Sequence, residues 1–168
     1  RLRMRRYSSI YGLDEKYILY GTANYFYIPV GAERSFIVAI RSDVREGDLP
    51  AFLDMRLGGS RDVRGYAEEN ERGQAKLVGT LQYRARFIGP RILRIPKIGD
   101  VDVAFNWTSF FDTGALMASI LDLDTTVFHS TLGFGIEMIS PLRDIMRFEV
   151  ASDGTGQPAF YVTAGTDF

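Results

Sequence analysis

Ala75-Lys76-Leu77-Val78-Gly79-Thr80-Leu81-Gln82-Tyr83-Arg84-Ala85-Arg86-Phe87 alternates almost without a break. Ala75, Leu77, Gly79, Leu81, Tyr83, Ala85 and Phe87 point one way; Lys76, Thr80, Gln82, Arg84 and Arg86 point the other, with Val78 the exception. A period of two sends successive side chains to opposite faces of a β-strand. One face here suits lipid and the other suits water.

The same period recurs downstream. From Val101 it sets Val103, Phe105, Trp107 and Phe111 outward, and Asp102, Asn106, Thr108 and Asp112 inward. Between Val127 and Ser140, Phe128, Leu132, Phe134, Ile136 and Met138 face out, while His129, Thr131, Gly133, Gly135 and Glu137 face in. Upstream, Phe36, Val38 and Ile40 oppose Ala39, Arg41 and Asp43, and residues 17–28 are rich in aromatic and β-branched side chains. Residues 1–10 form an arginine-lined candidate strand, and residues 145–151 and 160–168 two that alternate more weakly. The sum is about eight strands of roughly 9 to 13 residues, the length a tilted membrane strand requires.

Composition agrees with a barrel without demanding one. The 168 residues carry 20 basic and 21 acidic side chains, a net charge of −1, which gives no field to recruit nucleic acid. Cysteine is absent, which removes thiolate catalysis, disulfides and cysteine-ligated zinc. Mean hydropathy lies near zero, and no run approaches the ~18 apolar residues of a spanning helix. Barrel strands escape that test, because wet residues dilute the apolar ones by half. An aromatic content of 13% together with 17 glycines suits interfacial girdles and tight strand packing. A water-soluble β-sandwich binding module would share these totals.

Connections alternate short and long. Pro29-Val30-Gly31-Ala32-Glu33 and Ser140-Pro141-Leu142-Arg143 read as tight turns, whereas residues 45–74 form a loop of about thirty residues, a length that is usually functional or disordered. An eight-stranded barrel has room inside only for side chains. The loop therefore lies outside, or these strands belong to a larger barrel of about sixteen strands. The opening Arg1-Leu2-Arg3-Met4-Arg5-Arg6 lacks the apolar core of a signal peptide. A start without Met, inside a candidate strand, leads us to expect a fragment of a longer protein.

Two motifs then meet the strand pattern. Val63-Arg64-Gly65-Tyr66 lies in the long loop, and Phe110-Phe111-Asp112-Thr113-Gly114 lies on a strand with Asp112 facing the lumen. In this order they resemble the sixth-loop signature and the F-x-D-x-G strand of the BamA/TamA-type outer-membrane assembly barrels, the bacterial surface-antigen family. Leu49-Pro50 and Gly58-Gly59 sit where that family approaches its loop. The resemblance runs from about residue 49 to 168 and implies the C-terminal half of the barrel, with the loop folded into the lumen and Arg64 paired to Asp112. A guanidinium offers a carboxylate a planar fork of donors and keeps its charge at any pH. Gly65 would relax the loop tip, with Tyr66 packing beneath it.

Departures follow on the next strand. Many relatives carry G-N-x-E-Y-R where this chain has Gly79-Thr80-Leu81-Gln82-Tyr83-Arg84. Arg64 is thus short of a second counter-charge, for which Glu137 is the candidate, and Gln82 is expected to accept a hydrogen bond from Arg64. Gly133-Phe134-Gly135-Ile136 resembles the penultimate hairpin. Residues 160–168, with Tyr161, Gly165 and the closing Phe168, resemble the terminal-strand signal and seam.

Other residues carry plainer readings. His129 is the sole histidine, which leaves little for a metal cluster or catalytic triad. Asp122 and Asp124 read as loop carboxylates, and Gly133 and Gly135 as a bulge or close-packed site rather than a nucleotide loop. Asn106-Trp107-Thr108 matches a glycosylation sequon, which a bacterial membrane strand would not use.

The resemblance implies a non-enzymatic barrel without cofactor or metal, which inserts, assembles or translocates other proteins in a bacterial outer membrane. Its partners would be outer-membrane lipids, client or secreted proteins and accessory periplasmic proteins, with no nucleic acid. The same barrel type also stands behind lipase-like, patatin-type enzyme domains, so the competing expectation is an anchor or export barrel. A Gly-x-Ser-x-Gly region upstream would favour the enzyme, and tandem periplasmic modules would favour assembly.

Overall fold

The structure, a computed structural model, describes residues 2–8, 16–47, 55–67, 73–95, 99–119, 122, 126–140, 145–154 and 157–165. Leu49, Pro50, Asp124, residues 141–144 and Phe168 lie outside them, as do the side chains of residues 1–17. No described residue is helical. Eight strands follow in order: β1 (Leu2–Ser8), β2 (Lys16–Gly31), β3 (Arg34–Gly47), β4 (Ala75–Ile95), β5 (Gly99–Met117), β6 (His129–Ile139), β7 (Ile145–Ser152) and β8 (Ala159–Gly165). Each pairs antiparallel with its chain neighbours in one meander, β1 to β8. Among the described residues the sheet is not closed: β1 and β8 form its two edges and do not pair with one another.

Register turns the alternation along each strand into rows across the sheet. Trp107, Ile136, Phe148 and Val162 lie side by side on β5 to β8. So do Leu81, Phe111 and Leu132 on β4 to β6, and Phe134, Val150 and Phe160 on β6 to β8. Leu132 and Phe134 are each 66% exposed and Phe160 is 78% exposed, so this face meets no other part of the described chain. Its aromatic and branched pairs, among them Tyr83 edge-on to Trp107 at 5.6 Å, are the contacts that hold neighbouring strands in register.

The opposite face is covered. Residues 55–67 of the β3–β4 loop pack over it, with Leu57 and Val63 of the loop buried against Val78 of β4 and flanked by Tyr66 and Leu116. Val78, the one apolar break in the polar phase of β4, is therefore the floor on which the loop sits. Beside the loop lies a cavity of about 870 Å³ lined from both ends of the sheet, by Tyr25 and Tyr27 of β2 and by Thr163 of β8. The sheet is thus curled, with the loop in its hollow.

Several boundaries differ from those expected. The strands run from 7 to 21 residues. β3 continues to Gly47, past the expected start of the loop at residue 45. β2 runs through Pro29 to Gly31, leaving only Ala32 and Glu33 as the turn; a register shift between Pro29 and Gly31 accommodates the residue that has no N–H to give the ladder. At the start of β5 the faces are reversed: Val101 and Val103 are buried and Asp102 is exposed. Opposite them β4 carries register shifts between Arg86 and Ile88 and between Ile88 and Arg91. Each extra residue on one strand increases local twist, so a phase set in mid-strand does not extrapolate past it.

Candidate functional site

The loop motif and the strand motif meet residue by residue. Arg64 Nε donates to Asp112 Oδ2 at 2.7 Å, its Nη2 donates to Oδ1 at 3.0 Å, and the Arg64 backbone N–H adds a 3.3 Å bond to Oδ2. The fork matches the carboxylate with two parallel bonds, the geometry that makes arginine specific for such a partner. Asp112 is wholly buried and Arg64 nearly so. Phe110, two residues earlier on the same strand face, puts its ring 3.3 Å beneath the guanidinium carbon. Gly114, two residues later, leaves the space that Val63 fills: a Cβ there would stand 2.7 Å from Val63 Cγ2.

Gly65 is required twice over. Its φ of +89° is a left-handed conformation, and a Cβ would come within 2.7 Å of the backbone of Ala151 and Ser152 on β7. Its N–H donates to the Tyr161 hydroxyl of β8 at 2.8 Å. Tyr66 stacks on His129 with ring centroids 4.2 Å apart, and its hydroxyl lies 3.3 Å from His129 Nε2. On the other side of the tip, Asp62 binds Lys76 Nζ at 2.7 Å, and Arg41 donates to the carbonyls of Arg61 and Asp62. Residues 61–66 therefore reach all six strands from β3 to β8.

Arg64's second counter-charge is Glu149 of β7, whose Oε1 accepts from Arg64 Nη1 at 2.6 Å. This corrects two expectations. Gln82 does not bond Arg64; it lies opposite Phe110 in the register, one row from Asp112, and its amide donates to Glu137 at 3.5 Å. Glu137 in turn serves a separate node. It faces Arg84 at 2.8 Å and Arg147 at 3.3 Å and accepts from Asn106 at 3.4 Å. Glu149 was legible in principle, because Arg147, Glu149 and Ala151 share one phase of β7 and Phe148 and Val150 the other. Gly135 makes room for it, since a Cβ there would lie 2.8 Å from Glu149 Cγ. Gly165 lines the cavity at the end of β8.

Burial disfavours the charge on Arg64, but the hydrogen bond and charge of Asp112, with those of Glu149, outweigh it, and the guanidinium's pKa is raised above its ordinary value. Arginines 64, 84 and 147 face carboxylates 112, 137 and 149, so the hollow holds compensating charges. Such pairs add little net stability over apolar packing of the same volume, yet removing one member is costly. Those of Arg64 fix the placement of the loop tip. Comparison of the chain with known protein families and with curated proteins gives no match.

Proposed function

We propose that this chain is the C-terminal half of an outer-membrane barrel of about sixteen strands that inserts, assembles or translocates other proteins, with residues 48–74 as its lumenal plug. One observation carries the reading: the loop tip is fastened to buried charge on one face of the sheet while the other face presents rows of exposed apolar side chains. In water that face would be a large liability; against lipid it is the ordinary surface of a barrel.

The edges support the larger barrel. Each of β1 and β8 has one side unpaired among the described residues, and an unpaired edge in hydrocarbon leaves backbone groups unsatisfied at several kcal/mol each. Strands from outside these residues would complete the ring. The hollow, occupied by a loop and still holding a cavity of about 870 Å³, is larger than the side-chain-filled interior of an eight-stranded barrel. Lipid would contact the apolar rows, and clients and accessory periplasmic proteins would engage the seam and the rim. The resemblance of the loop and strand motifs to the surface-antigen barrels points the same way.

The test is a client assay. Vesicles containing the full-length protein receive a urea-unfolded outer-membrane β-barrel, and folding is followed by its heat-dependent gel mobility. Folding several-fold faster than in empty vesicles is expected. Equal rates would contradict the assembly reading.

A further inference from the structure

Among the attachments of the loop tip, two sets lie on different parts of the sheet. One is central: Asp112 and Phe110 on β5, which has neighbours on both sides. The other is peripheral. Glu149 on β7, the backbone of Ala151 and Ser152 against Gly65, and the Tyr161 hydroxyl on β8 all belong to the last hairpin. β8 is an edge, paired within the described residues only to β7. Of its alternating side chains, Phe160 and Val162 point away from the hollow and are 78% and 68% exposed. Tyr161 points in and is tied to a residue 96 positions earlier.

We infer that Glu149 and Tyr161 are positioning residues that latch the β7–β8 hairpin to the loop, so that the edge strand can be released while Asp112 still holds the loop. The division follows from the geometry of Arg64. Nε and Nη2 fork onto Asp112, whereas Nη1 alone reaches Glu149. Losing the single arm leaves the fork intact. Losing the Tyr161 oxygen leaves every charge paired and orphans one loop N–H. A hairpin swinging outward by one side chain's length would therefore break the peripheral contacts first. The latch deepens the lumenal-plug reading and rests on it for its role at the barrel seam.

Hydrogen exchange measured by mass spectrometry on the full-length protein in lipid discs separates the two attachments. Tyr161→Phe, which removes one oxygen and keeps the ring, is expected to speed exchange in residues 159–165 by about five- to tenfold and leave residues 55–67 at the wild-type rate. Glu149→Gln is expected to give the same pattern extended into residues 145–152. Asp112→Asn is expected to release residues 55–67 themselves. Wild-type exchange of residues 159–165 in Tyr161→Phe would overturn the latch, and so would release of residues 55–67 by Tyr161→Phe or Glu149→Gln to the extent seen in Asp112→Asn. The readout needs no client, so its outcome and that of the client assay are independent.

Discussion

Arg64→Ala is the perturbation with the largest calculable effect. It removes the forked bonds to Asp112, the 2.6 Å bond to Glu149 and the stacking on Phe110 in one change. Asp112, wholly buried, and Glu149, 5% exposed, are left as two carboxylates without their guanidinium. Removing one partner of a buried pair costs about 3–5 kcal/mol, most of it the stranded charge rather than the lost attraction. Little of that cost falls on the ladders of β4 to β7, which keep their backbone pairing. It falls on the loop, so the population of released loop should rise roughly a hundred- to a few-thousandfold. Limited proteolysis within residues 48–74 reads this directly, because cleavage of a rapidly reclosing segment tracks its open population. Arg64→Lys should fall between wild type and Ala, since an ammonium keeps the charge but cannot fork onto one carboxylate and reach a second. Equal cutting of Arg64→Ala and wild type would show that the loop is not held by this residue, whatever its contacts.

Three further outcomes are expected. Leu81→Arg and Phe134→Arg should each impair insertion into vesicles by roughly 2–4 kcal/mol near the midplane, measured as the folded fraction on a heat-mobility gel, whereas Thr80→Arg, which points into the cavity, should insert nearly as wild type. Gly65→Ala meets both a left-handed φ and the β7 backbone, so at a cost of about 1–3 kcal/mol it should expose residues 48–74 to protease without loss of strand content by circular dichroism. Glu137→Gln leaves Arg84 and Arg147 facing a neutral amide and should destabilise the sheet by a few kcal/mol, read as a lower denaturant midpoint of β-sheet loss, while the loop stays protease-resistant.

The alternation made the middles of β4, β5 and β6 legible, and the resemblance of the two motifs supplied the partner of the loop arginine. The phases of mid-β4, Val78 apart, and of β6 hold, so Leu81, Phe134, Gln82 and Glu137 lie on the faces expected of them. Failures cluster where a local device breaks the period. The faces of Val101 to Val103 are reversed opposite the register shifts of β4, and a shift at Pro29 lets β2 run on through a residue that usually ends strands. The second counter-charge was misplaced for a different reason. Alternation says which face a residue occupies, but not which residues of that face the loop tip reaches: Arg64 extends from the loop to Glu149, and Gln82 bonds Glu137 across rows of the sheet. The motif gave Phe110 no role; its ring lies beneath the guanidinium, in a space that the missing side chain of Gly133 leaves open.

Whether the apolar face meets lipid decides the rest, and it can be measured strand by strand. Single cysteines at positions 79 to 84 of β4, each carrying a small fluorophore, are placed in the full-length protein in lipid vesicles and quenched in turn by a lipid-soluble and a water-soluble agent. Positions 79, 81 and 83 are expected to respond to the lipid-soluble quencher, and positions 80, 82 and 84 to be shielded from it. Uniform response of all six positions to the water-soluble quencher would contradict a membrane-embedded sheet.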